Sequence, residues 1–243
     1  MFAYADAVTE RYPTIRAGVI HATGLANGPS PPELLDDYRA GQQAARERLN
    51  ATAIAELPSI AAWRRVFSGF GAKPTQYRNA AEALLRRLAK HGDIPTLSTL
   101  VDIGNLVSIR YAMPVAVFDL ANIAGSITVR FATGEEAFTD LGSADRVSPD
   151  PGEVIFVDRN NVVSARRWCW RQSTHSATSQ ATVEALMIVE GHHDNAGHDV
   201  ESALNDLTSL LATYQPHSQT TSYVLSPTNP GTGTGNGVQR PRR

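Results

Sequence analysis

The sequence contains a single cysteine, Cys169, among 243 residues. One cysteine can form no intramolecular disulfide, and it cannot supply a cysteine-rich zinc site. No segment approaches the roughly 18 consecutive apolar residues that a membrane-spanning helix needs. The N-terminal segment MFAYADAVTERYP carries charges where a signal peptide requires an apolar core. These absences predict a cytoplasmic protein without a membrane segment.

Lysine is also scarce, since Lys73 and Lys90 are the only two in the chain. Lys and Arg together number 22 against 24 Asp and Glu, which gives a net charge of −2. This balance disfavours a strongly basic nucleic-acid-binding protein but allows a local basic patch. A phosphate-binding glycine-rich loop, a GxSxG nucleophile elbow and an HExxH zinc motif are all missing. No cofactor is predicted.

The order of the predicted elements indicates the fold class. Apolar residues at steps of three and four predict helices at 30–49, 59–70, 79–91 and 97–111. A period of two or a short apolar run predicts strands at 14–21, 126–131, 153–158, 162–170 and 186–190. Because helices mostly precede strands instead of alternating with them, we expect an α+β fold. Its core would be a layered mixed β-sheet with an N-terminal helical lobe and a C-terminal helix.

Local signals predict where two helices begin and where the tail starts. Ser30, Pro31 and Glu33 have the pattern of a capping box, which predicts Ser30 as the N-cap of the first long helix. Asp199 is predicted to cap the last helix. Ser, Thr, Pro and Gly predominate near the C-terminus, and this composition predicts a disordered tail over 215–243.

Three histidines lie in the segment HHDNAGH at 192–198. Three imidazoles and a carboxylate could hold Zn²⁺. Metal ligands, however, are usually carried by firm elements and supported by further hydrogen bonds. The favoured interpretation is a solvated polar loop, and the alternative is a metal site at His192, His193 and His198.

The segment RRWCWRQ at 166–172 combines arginine with tryptophan. On a strand, a period of two places Trp168 and Trp170 on one face and Arg167 and Arg171 on the other. One interpretation is an aromatic platform with phosphate contacts for a nucleic acid. The alternative is a pair of core tryptophans beside a solvated arginine row. The candidate nucleic-acid-binding residues are Arg166, Arg167 and Arg171.

Polar groups in apolar elements supply further candidates. Glu190 ends the apolar run ALMIV, where a carboxylate costs free energy unless it is paired or functional. It could equally lie at the wet end of its strand. Asp102 and Asn105 are three residues apart and therefore share a helix face, where they could bind a polar ligand or be ordinary surface residues.

The segment that begins at Ile94, IPTLSTLVDIGNLVSIRYAMPVAVFDLANIAGSITVRFA, resembles the B3/B4 domain of the phenylalanyl-tRNA synthetase β subunit. In that family the stretch has the form RPINNVVDVTNYVM, followed by GQPLHAFD and a strand IxVR, and a later strand ends in LLE. The matching residues are Pro95, Val101, Asp102, Asn105, Val107, Pro114, Phe118, Asp119, Val129, Arg130 and Glu190.

The resemblance covers about residues 58–192 and implies a division of the chain. Residues 1–57 would be an N-terminal strand and helical extension, and 58–192 the B3/B4-like core. The C-terminal helix would occupy 193–214, before the tail at 215–243.

The resemblance also implies a function. In the synthetase this domain hydrolyses the ester of tyrosine wrongly attached to the phenylalanine tRNA, and a free-standing version could remove a wrong amino acid from tRNA in trans. Because the aminoacyl ester is already activated, positioning a water molecule is expected to suffice. The implied partner is the aminoacylated 3′ end of a tRNA. The chain is too short for a complete synthetase, so we do not expect it to charge tRNA.

Only part of the site that the resemblance implies has the family's residue types in this chain. Glu190 falls on the glutamate that binds the polar end of the misattached side chain, and Asp102 and Asn105 fall on the helix that lines the cleft. The family's histidine in PLHAFD is Ala116 here, and a glycine-rich segment is replaced by the Trp–Arg segment. The paired asparagines of the family are Ser98 and Thr99 here.

The hypothesis of an aminoacyl-tRNA deacylase therefore assigns the following residues. Asn105 and Thr174 would be catalytic, and Asp102, Glu190, Gln172 and Ser173 would bind substrate. Two alternatives remain, a tRNA- or RNA-binding module without catalysis and a descendant that binds a small molecule or a protein.

Overall fold

The structure, a computed structural model, describes residues 2–231 of the chain. Its helices are α1 (Asp6–Arg11), α2 (Pro32–Ala51), α3 (Pro58–Gly69), α4 (Ala80–His91), α5 (Thr99–Tyr111) and α6 (Ala196–Tyr214). Its first strands are β1 (Phe2–Tyr4), β2 (Arg16–Thr23), β3 (Val115–Asp119), β4 (Ile127–Phe131), β5 (Phe138–Thr139) and β6 (Arg146–Val147). The others are β7 (Val154–Val157), β8 (Val163–Arg166), β9 (Arg171–Gln172), β10 (Glu184–Gly191) and β11 (Gln219–Leu225). The predicted α+β fold class is confirmed.

The strands form two main sheets. The larger sheet has the strand order β1-β4-β7-β8-β9, and the other has the order β11-β2-β10-β3. β1 pairs with β4 in parallel, whereas the neighbours within the four-stranded sheet are antiparallel. Because β4 also pairs with β7 in an antiparallel manner, the five-stranded sheet is mixed, as the sequence predicts. Strands β5 and β6 pair separately.

Strand β10 shows how the layers are arranged, because successive side chains of a strand point to opposite faces. Ala185, Met187 and Val189 pack in one core with helices α2, α4, α5 and α6. Leu186 and Ile188 pack in a second core with the five-stranded sheet and α3. The four-stranded sheet is thus the middle layer, with four helices on one face and the five-stranded sheet on the other.

The two predicted helix caps are both wrong. The N-cap of α2 is Pro31, because the Ser30 hydroxyl donates a hydrogen bond to Asp102 instead of capping its own helix. Helix α6 has Asn195 at its N-cap, four residues before the predicted N-cap Asp199. Asp199 lies inside the first turn, where it accepts a hydrogen bond from His193.

The predicted strand at 162–170 is also wrong beyond Arg166. Arg167 and Trp168 have φ values of 44° and 58°, which lie in the left-handed region and end the strand. The chain turns here and returns as β9. Trp168 is therefore buried in the second core, whereas Trp170 lies half-buried on the surface, so the two rings do not share one sheet face.

The predicted tail contains a strand. β11 pairs with β2 along its whole length, from Gln219 opposite Thr23 to Leu225 opposite Ala17. The disorder predicted over 215–243 is therefore wrong for these residues. Although its sequence, QTTSYVL, is mostly polar, β11 is held at the sheet edge by backbone hydrogen bonds to β2. Residues 232–243 lie outside the described part of the chain.

Candidate functional site

Glu190 lies near the end of β10, in the core between the two sheets, and is only 2% exposed. Its Oε1 accepts hydrogen bonds from the Tyr4 hydroxyl and from Nε1 of Trp168, the second at 2.9 Å. Burial raises the pKa of the Glu190 carboxyl to about 7, although both hydrogen bonds act to lower it. Burial, followed by the charge of Glu190, raises the pKa of the Tyr4 hydroxyl.

Aromatic rings fill the space around this carboxyl group. The Trp63 indole N–H donates to the backbone oxygen of Glu190 at 3.4 Å. The rings of Trp63 and Trp168 meet edge to face with their centroids 5.3 Å apart. His192 completes the cluster, with its ring centroid 4.6 Å from that of Trp63. Oε1 of Glu190 is thus hydrogen-bonded within the chain, and the carboxyl group is surrounded by aromatic rings.

Asp102, at the start of α5, forms hydrogen bonds with two segments outside its helix, one at Ser30 and one at Leu97. The carboxylate is fully buried and accepts hydrogen bonds from the Ser30 hydroxyl at 2.6 Å and from the backbone N–H of Leu97 at 2.9 Å. Burial raises its pKa, and these two hydrogen bonds oppose the rise. Asn105, one turn later, is half-buried and interacts with Tyr38 of α2.

The predicted cleft between α5 and Glu190 does not form. α5 packs on the face of the middle sheet that carries Met187 and Val189. Glu190 follows Ile188 on the opposite face and contacts Tyr4 of the five-stranded sheet. The sheet itself therefore separates Asp102 and Asn105 from Glu190. The face of β10 that packs against the helices could not be predicted from the sequence alone.

Gln172, Ser173 and Thr174 make local structural contacts. The Gln172 amide donates to the backbone oxygen of Val117 in β3 at 2.9 Å and thereby links the edges of the two sheets. The Ser173 hydroxyl accepts a hydrogen bond from the backbone N–H of His175 at 3.0 Å. The exposed Thr174 donates to a backbone oxygen in the β5–β6 region, at 2.9 Å. These hydrogen bonds lead to neighbouring strands and turns and do not connect the three residues to Asn105 or Glu190.

Each of the three predicted arginines has a carboxylate partner. Arg166 donates two hydrogen bonds to Glu153, with Nη2 2.6 Å from Oε1. The guanidinium of Arg167 lies 2.7 Å from the same carboxylate. Arg171 pairs with Asp140. None of the three is therefore an unpaired cation, which sequence alone could not reveal.

Arg167 and Arg171 also build an aromatic–arginine stack with Tyr77 and Trp170. The Arg167 guanidinium lies 4.1 Å from the Tyr77 ring centroid and 4.9 Å from that of Trp170. Arg171 lies 4.8 Å from the Trp170 centroid, on which it also stacks. Both rings are half-buried, so part of each ring stays accessible. A predicted aromatic feature thus exists, but it contains Tyr77 and only one of the two tryptophans.

Helices α3 and α4 and the turn between them form a basic segment that the whole-chain composition does not show. Residues 58–91, named here the α3–α4 basic segment, contain seven basic residues and a single acidic one, Glu82. The basic residues are Arg64, Arg65, Lys73, Arg78, Arg86, Arg87 and Lys90. Because the whole chain has a net charge of −2, the rest of the chain is acidic. A count in a sliding window would have found this segment, whereas the whole-chain total cannot.

The one carboxylate of the segment is already paired with two arginines of the same segment. Glu82 is buried and forms ion pairs at 2.8 Å with both Arg64 and Arg86. Four exposed cations, Arg65, Lys73, Arg87 and Lys90, form no ion pair with any residue in 2–231. The segment therefore offers positive charge to an external partner.

The histidine turn is not a solvated loop, since His192 and His193 are 4% and 8% exposed and only His198 of the three is exposed. Burial is the largest cause that lowers the pKa of His192, to about 3, and the ring is therefore neutral at pH 7. Across residues 2–231, no group of three or more His, Cys, Asp or Glu side chains is placed to hold a metal ion.

Two curated proteins are similar to part of this chain, and both are phenylalanine–tRNA ligase beta subunits. The protein from Fusobacterium nucleatum subsp. nucleatum is 32% identical over 92 residues, which is 38% of this chain and 11% of that subunit. The protein from Shewanella oneidensis is 29% identical over 108 residues, or 44% of this chain and 14% of that subunit. The matched region is thus a small part of either relative.

A solved structure, the N-terminal fragment of the phenylalanyl-tRNA synthetase beta subunit from Pyrococcus horikoshii, aligns with 90% of this chain and 50% of its own length. The identity is 12% and the TM-score is 0.45. No helix within residues 2–231 has the length and apolar character needed to cross a membrane.

A family model described as the B3/4 domain matches residues 62–215, which is well over half of the chain. The match begins within α3 and continues past the predicted core boundary at 192 to the end of α6. The division into domains predicted from the sequence stays a prediction. The matched length is decisive, and the chain belongs to the B3/4 domain family.

Proposed function

We propose that this protein is a tRNA-associated module that binds tRNA through its α3–α4 basic segment and does not hydrolyse the aminoacyl ester. The observation that carries the proposal is the concentration of unpaired cations in that segment, most of which lies within the matched B3/4 domain. The two curated relatives are beta subunits of phenylalanine–tRNA ligases, which are enzymes that act on tRNA.

The physical basis is contact with phosphate. Each Lys or Arg that neutralises a phosphate releases condensed counterions, and this release supplies much of the affinity of proteins for nucleic acids. Arg87 and Lys90 lie on α4 with exposed side chains and no carboxylate partner in residues 2–231. They suit this role better than Arg166, Arg167 and Arg171, whose charges are already paired with carboxylates.

The aromatic–arginine stack adjoins the same segment. The backbone N–H of Ala80, the first residue of α4, donates to the carbonyl of Cys169 at 2.9 Å. Trp170 and Tyr77 are therefore next to the start of α4, and Lys73 precedes Tyr77 by four residues. Partly accessible rings beside cations can stack on unpaired bases. Such bases occur in tRNA loops and at its 3′ end.

Two observations support binding without hydrolysis. A deacylase site would bring Asn105, Thr174 and Glu190 around one ester, yet Asn105 and Glu190 lie on opposite faces of the middle sheet. The Glu190 carboxyl is also buried, accepts hydrogen bonds from Tyr4 and Trp168 on Oε1 and lies among aromatic rings, all of which disfavour contact with a substrate side chain. Family membership alone supports a tRNA partner without specifying the reaction.

The test compares tRNA binding by two matched double variants, measured by filter binding. Arg87→Ala/Lys90→Ala removes two unpaired cations of the basic segment and is expected to raise the Kd for tRNA by about tenfold. Arg39→Ala/Arg146→Ala removes the same charge from exposed sites elsewhere and is expected to leave the Kd within about twofold. Equal losses in both variants, or no tRNA binding by the unaltered protein, would overturn the binding proposal.

The catalytic half of the proposal needs a separate assay. The protein is incubated with a panel of mischarged tRNAs, and the loss of the aminoacyl ester is followed against buffer alone. We expect no loss above the buffer rate. Ester loss that disappears in Asn105→Ala or Glu190→Gln would show that hydrolysis is retained and would overturn this half.

A further inference from the structure

A cavity of about 670 Å³ lies where the start of α3, the end of α5 and the turn into α6 meet. This volume is in the range of sites that hold small molecules, roughly 300–1,000 Å³. The side chains that matter for its chemistry are Arg48, Ser59, Arg65, Tyr111, His193 and Asp199. The cavity lies outside both the α4 surface and the Glu190 core described above.

The N-terminal turn of α3 forms one wall of this cavity. Helix α3 has Leu57 at its N-cap and Pro58 at its first position, and no side chain caps it. The first N–H groups of a helix have no intrahelical partner, and the helix dipole places partial positive charge there. An uncapped N-terminus of this kind is suited to an anion such as phosphate.

Two buried polar atoms in the same cavity independently lack a partner. The Ser59 hydroxyl is in a residue that is 4% exposed, and His193 Nδ1 is in a residue that is 8% exposed. Neither atom forms a hydrogen bond with any residue in 2–231. Leaving a buried polar atom unsatisfied destabilises the folded protein. Both residues line the cavity, so a group bound there that draws the two side chains toward it could bond both atoms and remove this cost.

Positive charge lies on the α2 and α3 side of the cavity. Arg48 donates through its two Nη atoms to the carbonyls of Arg110 and Ile109, at 2.7 and 2.6 Å, while its buried Nε has no partner in residues 2–231. Arg65 is exposed at the rim and forms no ion pair within the same residues. Both guanidinium groups can therefore donate to an anion.

The opposite side of the cavity fixes the hydrogen-bonding role of His193. Its Nε2 lies 2.7 Å from Asp199, which also accepts a hydrogen bond from Asn195 at 2.9 Å. Because a carboxylate only accepts, Nε2 carries the proton, and Nδ1 of the neutral ring is an acceptor. The charge of Asp199 is thus taken up by two donors, whereas Asp194 is exposed at the rim.

We propose that this cavity binds a small phosphorylated sugar or nucleotide. The phosphate would lie at the N-terminus of α3, where Ser59, Arg48 and Arg65 donate to it. A hydroxyl group of the ligand would donate to His193 Nδ1, and the Tyr111 ring would contact its less polar part. The site goes beyond the proposed tRNA contact, with which it shares only Arg65 of the α3–α4 basic segment.

The experiment measures binding to the full chain by isothermal titration calorimetry. The probes are adenosine 5′-monophosphate and ribose 5-phosphate, with adenosine and ribose as partners that lack the phosphate. Only the phosphorylated probes are expected to bind. Failure of both to bind at millimolar concentration, or equal binding of adenosine, would overturn the proposal.

Variants then test the assigned donors. Ser59→Ala is expected to weaken binding about fivefold and Arg65→Ala about tenfold or more, because the second removes a charged donor. Since the Ser59 hydroxyl has no protein partner, Ser59→Ala is expected to fold normally, which a melting temperature without ligand no lower than that of the unaltered protein would verify. Unchanged affinity in both variants would contradict the assignment and show that the probes bind elsewhere on the protein.

Two further measurements distinguish binding of a small ligand at this site from binding of an RNA end and from binding at the tRNA surface. A short RNA with a 5′-phosphate is compared with the same RNA carrying a 5′-hydroxyl. A preference for the phosphorylated RNA without binding of the free monoesters would overturn the small-ligand assignment in favour of an RNA end. The Arg87→Ala/Lys90→Ala variant is expected to bind adenosine 5′-monophosphate as well as the unaltered protein does, even if it has lost tRNA.

Discussion

The Tyr4 hydroxyl donates a hydrogen bond to the Glu190 carboxyl group, 186 residues further along the chain. Tyr4 belongs to β1 of the five-stranded sheet and Glu190 to β10 of the middle sheet, so this contact crosses the core between the sheets. It places a titratable group in an apolar interior. The stability of the fold should therefore depend on the protonation of Glu190.

The first prediction concerns that dependence. The folded-state pKa of Glu190 is about 7, above the ordinary value of 4.5, because the buried carboxyl resists ionisation. A carboxyl that binds its proton more tightly in the native state contributes stability that is full below about pH 4.5 and is lost as the pH rises through about 7. Relative to Glu190→Gln, the free energy of unfolding should fall by roughly 3 kcal/mol over this range.

Urea unfolding of both proteins at several pH values between 4 and 8 measures this difference. Glutamine keeps the shape and accepts the same hydrogen bonds without ionising, so it is the appropriate reference. A constant difference between the two proteins at all pH values would mean that Glu190 titrates normally.

Tyr4→Phe is the second prediction. This variant removes one of the two hydrogen bonds to the Glu190 side chain and should destabilise the protein by about 1–3 kcal/mol at pH 8, where the carboxylate is charged. It should also raise the pKa of Glu190 further, because the Tyr4 hydrogen bond lowers that pKa. Carbon-13 NMR of the glutamate carboxyl measures the shift.

A double-mutant cycle provides the control for this pair. In the Glu190→Gln background, Tyr4→Phe should cost less, because the hydroxyl then loses a neutral acceptor instead of a charged one. Equal costs in the two backgrounds would show that Tyr4 and Glu190 are not energetically coupled.

His192 gives the third prediction, in which the stability falls as the pH is lowered. Its pKa in the folded protein is about 3, below the ordinary 6.5, because burial opposes the charged ring. Stability from this group is present above about pH 6.5 and is lost as the pH falls toward 3. Relative to His192→Phe, the loss should be of the order of 4 kcal/mol. Parallel stability profiles of the two proteins from pH 7 to pH 4 would exclude this role.

The fourth prediction compares two helical glycines. A Cβ atom at Gly104 of α5 would lie 2.9 Å from Cγ2 of Val117, a branched side chain with little freedom to move. Gly104→Ala should therefore destabilise the protein by about 1–2 kcal/mol, despite a gain of up to about 1 kcal/mol in helix propensity. Gly197 of α6 has nothing within 4 Å of the corresponding position.

Gly197→Ala is thus the matched control and should stabilise the protein by up to about 1 kcal/mol. The melting temperatures of the two variants give the comparison directly. A Gly104→Ala variant as stable as Gly197→Ala would contradict the close packing of α5 on the middle sheet.

The sequence predicts elements well where the local signal and the tertiary structure agree. The helix predicted at 79–91 is found as α4, because the Asn79 side chain caps its first turn and Gly92 takes the left-handed conformation at its end. The resemblance to the B3/B4 domain likewise predicts the family, because residue types at fixed spacing carry that information.

The failures have a common physical cause, which is that distant partners override local patterns. Ser30 fits a capping box but bonds to Asp102 on another helix. β11 has the composition of a disordered tail but pairs with β2. The predicted cleft fails for the same reason, since the face on which Glu190 lies depends on which layer packs against each side of β10.

The salt dependence of tRNA binding tests the central claim most directly. The slope of log Kd against log salt concentration counts the phosphate contacts, at about 0.9 per contact for duplex regions and about 0.7 for single strands. If the α3–α4 basic segment holds the tRNA, Arg87→Ala/Lys90→Ala should lower the slope by about 1.5 relative to the unaltered protein, while Arg39→Ala/Arg146→Ala leaves it unchanged. An identical slope in all three proteins would contradict the account.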